Sequence, residues 1–474
     1  MENFEGKKSV LIVGGGAGGL YAGWRLSQKG FNVTILERKR FLGGLGTSIK
    51  KNNCLMDIGP HYISLNKNSR IFDDVMELLG EKGIRRLPSV ESFFKSFYKN
   101  EILETTPKLS HVMKNDKNSV IKKLFQNTFS NIDSKKKSSE EYLISLYGKS
   151  VFESLCKPVL IQTYGEIPPL EITKKLYKPI TIKKIVNYVN KNQKKNELVA
   201  NSSTFSCYFK NGMGSIIDIF EEKIIEAGGE IILDAEITSI NHDSPKTIEF
   251  VKDDKAMFRT SDIILYSVPL NLAIKWFNDS PDDLNQKFDS SQISNGVLIY
   301  FLIDMPKLFD GWILDIYDLT IPFFRITQQT FLSSNVAPKN KTLLCCEMRV
   351  KDEDNVWEMT DKVLFNKAKD NLKKIFNLDE SMINELNILK LKNLYRPQYY
   401  KIKSKDTEIG RYINSFENEY ALGTTTFSDT GDNPTRLSHD EESPLEDDSI
   451  AYGGFYNSLF RSNQVVESVL LDNK

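Results

Sequence analysis

The sequence predicts an α/β protein in which one discontinuous domain, gathered around a parallel sheet, carries an inserted α+β domain. Three observations predict it. The first 37 residues spell strand, glycine turn, helix and strand. Two later stretches, 213–240 and 262–269, supply another helix and more apolar strands of the same layered kind. Residues 294–350 then hold long apolar runs that suit a second sheet.

Lys8 to Val13 (KSVLIV) is a short apolar run closed by glycines, the pattern of a buried parallel strand entering a turn. From Gly18, Leu20, Ala22, Gly23 and Leu26 follow helical spacing, and Gly30 stops the helix. Asn32 to Leu36 makes the next strand and delivers Glu37 at its end. Phe72 to Leu79 reads as an amphipathic helix, while 114–140 and 184–203 are polar, Lys/Asn/Ser-rich excursions. A helix opens near Met213, is stopped by Gly228 and Gly229, and feeds EIILDAEITSI as one strand. The strand DIILYSV closes at Pro269. GVLIYFLI and TLLCCEM read as strands, 361–376 as a helix, 428–448 as an acidic solvated loop, and Phe455 to Leu471 as a last helix. The expected division is 1–90, 205–275 and 410–474 in the first domain, with 91–204 and 276–409 forming the second, substrate-binding domain.

Composition narrows the function classes. The 474 residues suit two or three domains, and 40% hydrophobic with 27% charged residues suits a soluble globular chain. Sixty-three basic residues balance 63 acidic ones, so no global field draws nucleic acid or an anionic membrane. Cys54, Cys156, Cys207, Cys345 and Cys346 form no CxxC and lie near no His at ligand spacing. They are expected to be isolated core thiols of a reducing compartment, with no metal site. The N-terminus runs into a strand without a signal-peptide core, and no stretch approaches the roughly 18 apolar residues of a membrane span. A cytoplasmic protein is expected, and nothing in the sequence speaks to its oligomeric state.

The chemistry starts at Gly14, Gly16 and Gly19, a GxGxxG between a strand and a helix. Gly14 permits the tight turn, Gly16 lets backbone approach a pyrophosphate, and Gly19 allows close helix–strand packing. Ala17 and Gly18 open the helix, whose free N–H groups face the phosphates. Glu37 follows Gly19 by 18 residues, where a carboxylate can accept both ribose hydroxyls of an adenosine and repel a 2′-phosphate. Beyond Glu37 and Arg38 come Gly43, Gly44 and Leu45, an E-x5-GG pattern. This second glycine turn lets the chain pass close to a further cofactor segment, which a plain NAD domain does not need. No second GxGxxG follows a strand, so the pattern points to FAD.

These motifs resemble the extended dinucleotide signature of the FAD-dependent amine-oxidase superfamily, which includes monoamine oxidases, protoporphyrinogen oxidases, phytoene desaturases and UDP-galactopyranose mutases. The resemblance implies a Rossmann-type FAD-binding domain, and it extends more loosely over most of the chain. DIGPHYI, with Gly59, Pro60 and His61, is similar to the D-x-G-x-H segment that passes the flavin in the mutase-like branch. Residues 147–172 resemble another segment of that branch, with Tyr164 in place of its Trp, and YFKNGMGSIIDIFEEKIIEAGGEI resembles a third. Ile237 falls where the family's strand lends backbone contacts to the adenine end. Asp448, or its neighbour Asp447, matches the acidic segment near the flavin or ribityl chain.

For His61 two roles stay open, packing on the ring or a backbone group, and tuning flavin N5. His111, His242 and His439 sit among polar residues and are expected at the surface. Arg325, in PFFRITQQTF, resembles the arginine by which the mutase branch holds a substrate diphosphate; the alternative is a structural arginine paired with an acid such as Glu347. Tyr395, in NLYRPQYY, resembles the substrate-pocket tyrosine. Against these matches, ALGTTTFSD places Thr424 to Thr426 where the mutases carry a second phosphate-binding arginine.

The reading this supports best is an FAD-dependent oxidoreductase taking a hydride from a C–N or C–C bond of a small molecule. A redox-neutral, mutase-like enzyme acting on a phosphorylated or nucleotide-linked substrate is the second. A non-catalytic flavoprotein scaffold is the third.

Overall fold

The computed structural model describes residues 7–87, 93–107, 138–177, 204–277, 280, 293–395, 405–422 and 455–473. β1 (Ser9–Val13) is apolar and almost wholly buried, and it sits at the centre of a five-stranded parallel sheet. On one side it pairs with β2 (Asn32–Leu36), which pairs in turn with Glu230–Ile232. On the other side it pairs with Ile263–Tyr266, and Glu419–Ala421 completes the edge. Strands buried on both faces need covering layers. One is built by α1 (Ala17–Ser27), every residue of which is buried, with the helices Ser215–Glu226 and Phe455–Asp472 packed against it. A cluster around Arg25 fastens the last helix there. Its guanidinium donates to Asp74, Tyr21 and Asn463 at 2.9–3.0 Å and to Glu467 at 3.2 Å.

A second sheet of seven strands runs Ile383–Tyr395, Ile293–Ile303, Thr342–Val350, Arg325–Gln328, Ile313–Ile316, Phe94–Tyr98 and Glu101–Leu103. It is antiparallel except where Ile313–Ile316 pairs parallel with Phe94–Tyr98. Alternation along Ile293–Ile303 shows how both faces are filled. Val297, Ile299, Phe301 and Ile303 face the helix Asp361–Phe376, while Leu298, Tyr300 and Leu302 join the core shared with the dinucleotide layer. All five cysteines are buried free thiols, including Cys345 and Cys346 on opposite faces of Thr342–Val350.

Several sequence expectations need correction. EIILDAEITSI is two strands, not one: Glu230–Ile232 belongs to the parallel sheet, and Glu236–Asn241 opens a separate three-stranded meander. The break is at Asp234, whose φ of 55° is left-handed and turns the chain out of the ladder. The helix expected over 72–79 runs from Arg70 to Gly83, with Ser69 capping it and Gly80 departing from helical geometry. The polar excursion 114–140 ends in structure, because Ser138 caps a helix over Ser139–Tyr147. Most of that excursion and all of 184–203 and 428–448 lie outside the described residues. Among the described residues, no helix is long and apolar enough to cross a membrane, and no group of three His, Cys, Asp or Glu could hold a metal.

Candidate functional site

The three motif glycines do different work. Gly14 has φ +98° and donates to Leu36 O at 2.8 Å, and a Cβ on it would come 2.7 Å from Ser267 O. A Cβ on Gly19 would stand 2.1 Å from Gly14 O, so helix and turn touch through bare backbone. At Gly16 the space is open: a Cβ would meet nothing within 4 Å among the described residues. Gly16 is also the N-cap of α1, and no side chain caps that end. An open hollow over uncapped helix N–H groups is what an anionic pyrophosphate requires. Ala17 and Gly18 follow in the buried first turn of α1.

The second glycine turn closes directly onto the first. Gly43, at φ +89°, donates to Gly15 O at 2.7 Å and bridges to Gly16. Gly44 approaches so near that a Cβ there would be 3.7 Å from Gly16 Cα, and half-buried Leu45 follows in the same turn.

Glu37 is held in place before any ligand arrives. Gly15 N–H donates to its Oε2 and Lys39 N–H to its Oε1, both at 2.8 Å. Each carboxylate oxygen keeps lone-pair capacity for a ribose hydroxyl. Arg38, next to it, is exposed. Replacing Glu37 with Ala removes charge-assisted bonds worth about 1.5–3 kcal/mol. FAD should then bind roughly 10- to 150-fold more weakly, as read by titrating apoprotein; an unchanged Kd would remove Glu37 from the site. Ala235 N–H donates to Glu37 O at 2.9 Å, which brings the start of the meander strand to this end of the site. Ile237, two residues on, is buried opposite Phe250, beside a bulge.

The hairpin Ser48–Lys51/Cys54–Asp57 delivers the chain into Gly59, Pro60 and His61. Gly59 is buried with φ +82°, and Pro60 and His61 are half-buried. His61 Nε2 donates to Ile58 O at 2.9 Å. Asp57, which sequence reasoning did not single out, is fully buried and bonded on both carboxylate oxygens. Its only sequence signal is the leading position of D-x-G-x-H.

Arg325 is 4% exposed, and its Nε donates to Asp315 Oδ1 at 2.9 Å. The acid that fixes it is therefore Asp315, one strand over, rather than the Glu347 considered from sequence. Glu347 does lie in register with Arg325 on the opposite neighbouring strand. It is buried, its Oε2 has no hydrogen-bond partner among the described residues, and a Cβ on Gly59 would lie 3.8 Å from that oxygen. Tyr395 ends its strand opposite Ile293; its side chain lies outside the described residues. Asp448, Asp447, Thr424 to Thr426, His111 and His439 also lie outside them.

His242 is not a surface residue. Its ring stacks on Phe416 at 4.0 Å and meets Phe277 edge-on at 4.3 Å. Nδ1 donates to Glu419 at 2.9 Å, and that buried carboxylate also accepts from Lys246 and Tyr266. The polar neighbours in sequence belong to the turn that follows, so they say nothing about where the ring points.

A family model described as an NAD(P)-binding Rossmann-like domain matches residues 12–78. The N-terminal segment is thus a Rossmann-like dinucleotide-binding unit. The space at Gly16 beside the prepared Glu37 fits the pyrophosphate and ribose of a dinucleotide. The chain is 39% identical over 74 residues to a phytoene desaturase of Fusarium fujikuroi, covering 16% of this chain and 12% of that one. A 4,4'-diapophytoene desaturase of Methylomonas sp. is 38% identical over 71 residues, 15% and 13% of the two chains. The chain thus spans only about an eighth of the length of these curated relatives. Likeness in fold runs much further. Reduced UDP-galactopyranose mutase superposes with a TM-score of 0.69 at 16% identity, over 98% of this chain and 96% of that one. A putative protoporphyrinogen oxidase from Exiguobacterium sp. 255-15 gives 0.65 at 17% identity, over 98% and 99%.

Proposed function

We propose that the protein is an FAD-dependent oxidoreductase acting on a small molecule, with hydride passing from a C–N or C–C bond of the substrate to flavin N5. The observation that carries this reading is the double glycine turn with Glu37 clamped between two backbone amides. FAD supplies the redox chemistry when bound. The chain's own residues bind and orient. Gly14, Gly16 and Gly19 with the start of α1 take the pyrophosphate, Glu37 takes the ribose, and the Gly59–His61 turn sits where the family resemblance puts the ring. The proposed division of labour gives 1–90, 205–275 and 410–474 to the cofactor and 91–204 and 276–409 to the substrate; the two large sheets draw their strands from those stretches.

A redox-neutral, mutase-like reading would need Arg325 as a diphosphate clamp. The pairing of its Nε with Asp315, and the buried Glu347 carboxylate on the next strand, weigh against an anion there. Purified protein should be yellow, and anaerobic addition of candidate amines should bleach it. Protein that takes up no FAD would sink the cofactor assignment. Nucleotide-sugar turnover only after dithionite, with no bleaching by any amine, would favour the mutase-like reading.

A further inference from the structure

One buried carboxylate outside the dinucleotide cradle joins four separate parts of the molecule. Asp57 Oδ1 accepts from Ser48 Oγ at 2.5 Å, on the facing strand of its hairpin, and from Met213 N–H at 3.1 Å. Oδ2 accepts from Tyr208 OH at 2.5 Å, on the strand Thr204–Phe209. Its backbone carbonyl faces the second sheet, accepting from Tyr300 OH at 2.7 Å and from Gln329 Nε2 at 3.4 Å. Gly212, at φ +81°, leaves no room for looseness, since a Cβ there would stand 3.1 Å from Asp57 Oδ1 and 2.7 Å from Ser48 Oγ. The side chain therefore grips the turn that opens the helix Ser215–Glu226, and the carbonyl grips the substrate-side sheet. Two residues later comes Gly59, and then His61.

We propose that Asp57 is a positioning residue of the cofactor site, fixing the path of the Gly59–His61 turn by anchoring the residue two before it to the turn that opens the helix Ser215–Glu226 and to the seven-stranded sheet. This rests on the cofactor reading above. Asp57 touches no cofactor in this role; it acts through the turn it precedes. An ionised carboxylate suits the task because it accepts from two hydroxyls and a backbone N–H at once. Once protonated it must turn one hydroxyl round to receive its own O–H, and the grip on the turn at Met213 slackens.

The charge state is set by a contest. Burial pushes the carboxyl up to about 6, against the lowering effect of the bonds from Ser48, Tyr208 and Met213. Among the described residues, the titratable groups that interact with it are Tyr208, Tyr300 and Cys345, and none of these is a cation. Because the folded value lies above the ordinary 3.8, burying the ionised form costs stability that is present below about 4 and is lost as pH rises through about 6. Ionisation at neutral pH is thus kept at the expense of stability, as expected of a group held for positioning.

The experiment is FAD titration of apoprotein, followed by flavin absorbance and checked for folding by circular dichroism. Wild type should bind FAD more weakly as pH falls through about 6. Asp57→Asn should raise Kd at neutral pH by at least about tenfold, shift the bound-flavin spectrum, and abolish that pH response. Tyr208→Phe keeps the charge but removes one lowering bond, so its pH midpoint should move up. A folded Asp57→Asn protein with unchanged Kd and spectrum overturns the proposal. So does a pH response that survives in Asp57→Asn with the same midpoint, since His61 or another group then carries it. If Asp57→Asn does not fold, Tyr208→Phe decides, and an unmoved midpoint overturns the proposal. Wild type that takes up no FAD is a different failure, because it removes the cofactor reading itself.

Discussion

Gly16→Val should yield a folded, colourless protein, whereas Gly19→Val should fail to fold. The two glycines are three residues apart in one motif, and a sequence pattern treats them alike. The structure does not. Gly16 has φ −70°, which any residue can adopt, and a Cβ there meets nothing within 4 Å among the described residues. A valine at that N-cap costs the helix only about 1 kcal/mol and fills the hollow kept for the pyrophosphate. FAD affinity should fall by more than about a hundredfold, since the ligand's most charged group loses its seat. At Gly19 a Cβ would lie 2.1 Å from Gly14 O and 3.0 Å from Ser267 Cβ. Both neighbours follow directly on the central strands Ser9–Val13 and Ile263–Tyr266, which hold them in place, so the backbone must move, at a cost above the roughly 1–3 kcal/mol of ordinary overpacking. Circular dichroism, melting temperature and flavin absorbance separate the cases. A yellow Gly16→Val protein would mean that the pyrophosphate lies elsewhere, and a stable Gly19→Val protein would mean that helix and turn are not in contact.

That contrast shows what the sequence makes legible. The motif, its strand and helix, Glu37 and the second glycine pair are local features with fixed spacing, so their types and their order can be read directly. Their mutual contact can be inferred only because the motif is short. The break in 230–240 depends on one left-handed residue, Asp234, inside an otherwise apolar run, and periodicity carries no trace of it. The place of His242 is equally hidden, because its partners Phe277, Phe416 and Glu419 are distant in sequence. Asp57 stayed hidden for the same reason. Its bonds come from positions 48, 208 and 213 on the side chain and 300 and 329 on the carbonyl, and no spacing rule connects them.

Arg325 is where sequence resemblance and structure pull furthest apart, and Arg325→Ala should act on stability before it acts on any ligand. The guanidinium is 4% exposed, its Nε is bonded to Asp315 at 2.9 Å, and its Cζ lies 5.4 Å from the centre of the Phe324 ring. Asp315, the acid bonded to it, sits in register with it on one adjoining strand, and Glu347 on the other. Removing that cation leaves the Asp315 carboxylate uncompensated in a largely buried sheet. The expected loss is about 2–4 kcal/mol, below the full cost for a buried pair because the Asp315 side chain is 19% exposed. Replacing both members, Arg325→Met with Asp315→Leu, should recover most of that loss, because an apolar pair of similar size needs no compensation. Pyrophosphate should bind the wild type no better than it binds the double variant. The opposite result, in which Arg325→Ala keeps its melting temperature but loses a phosphorylated ligand at least about tenfold, would restore Arg325 as a diphosphate clamp and with it the mutase-like reading.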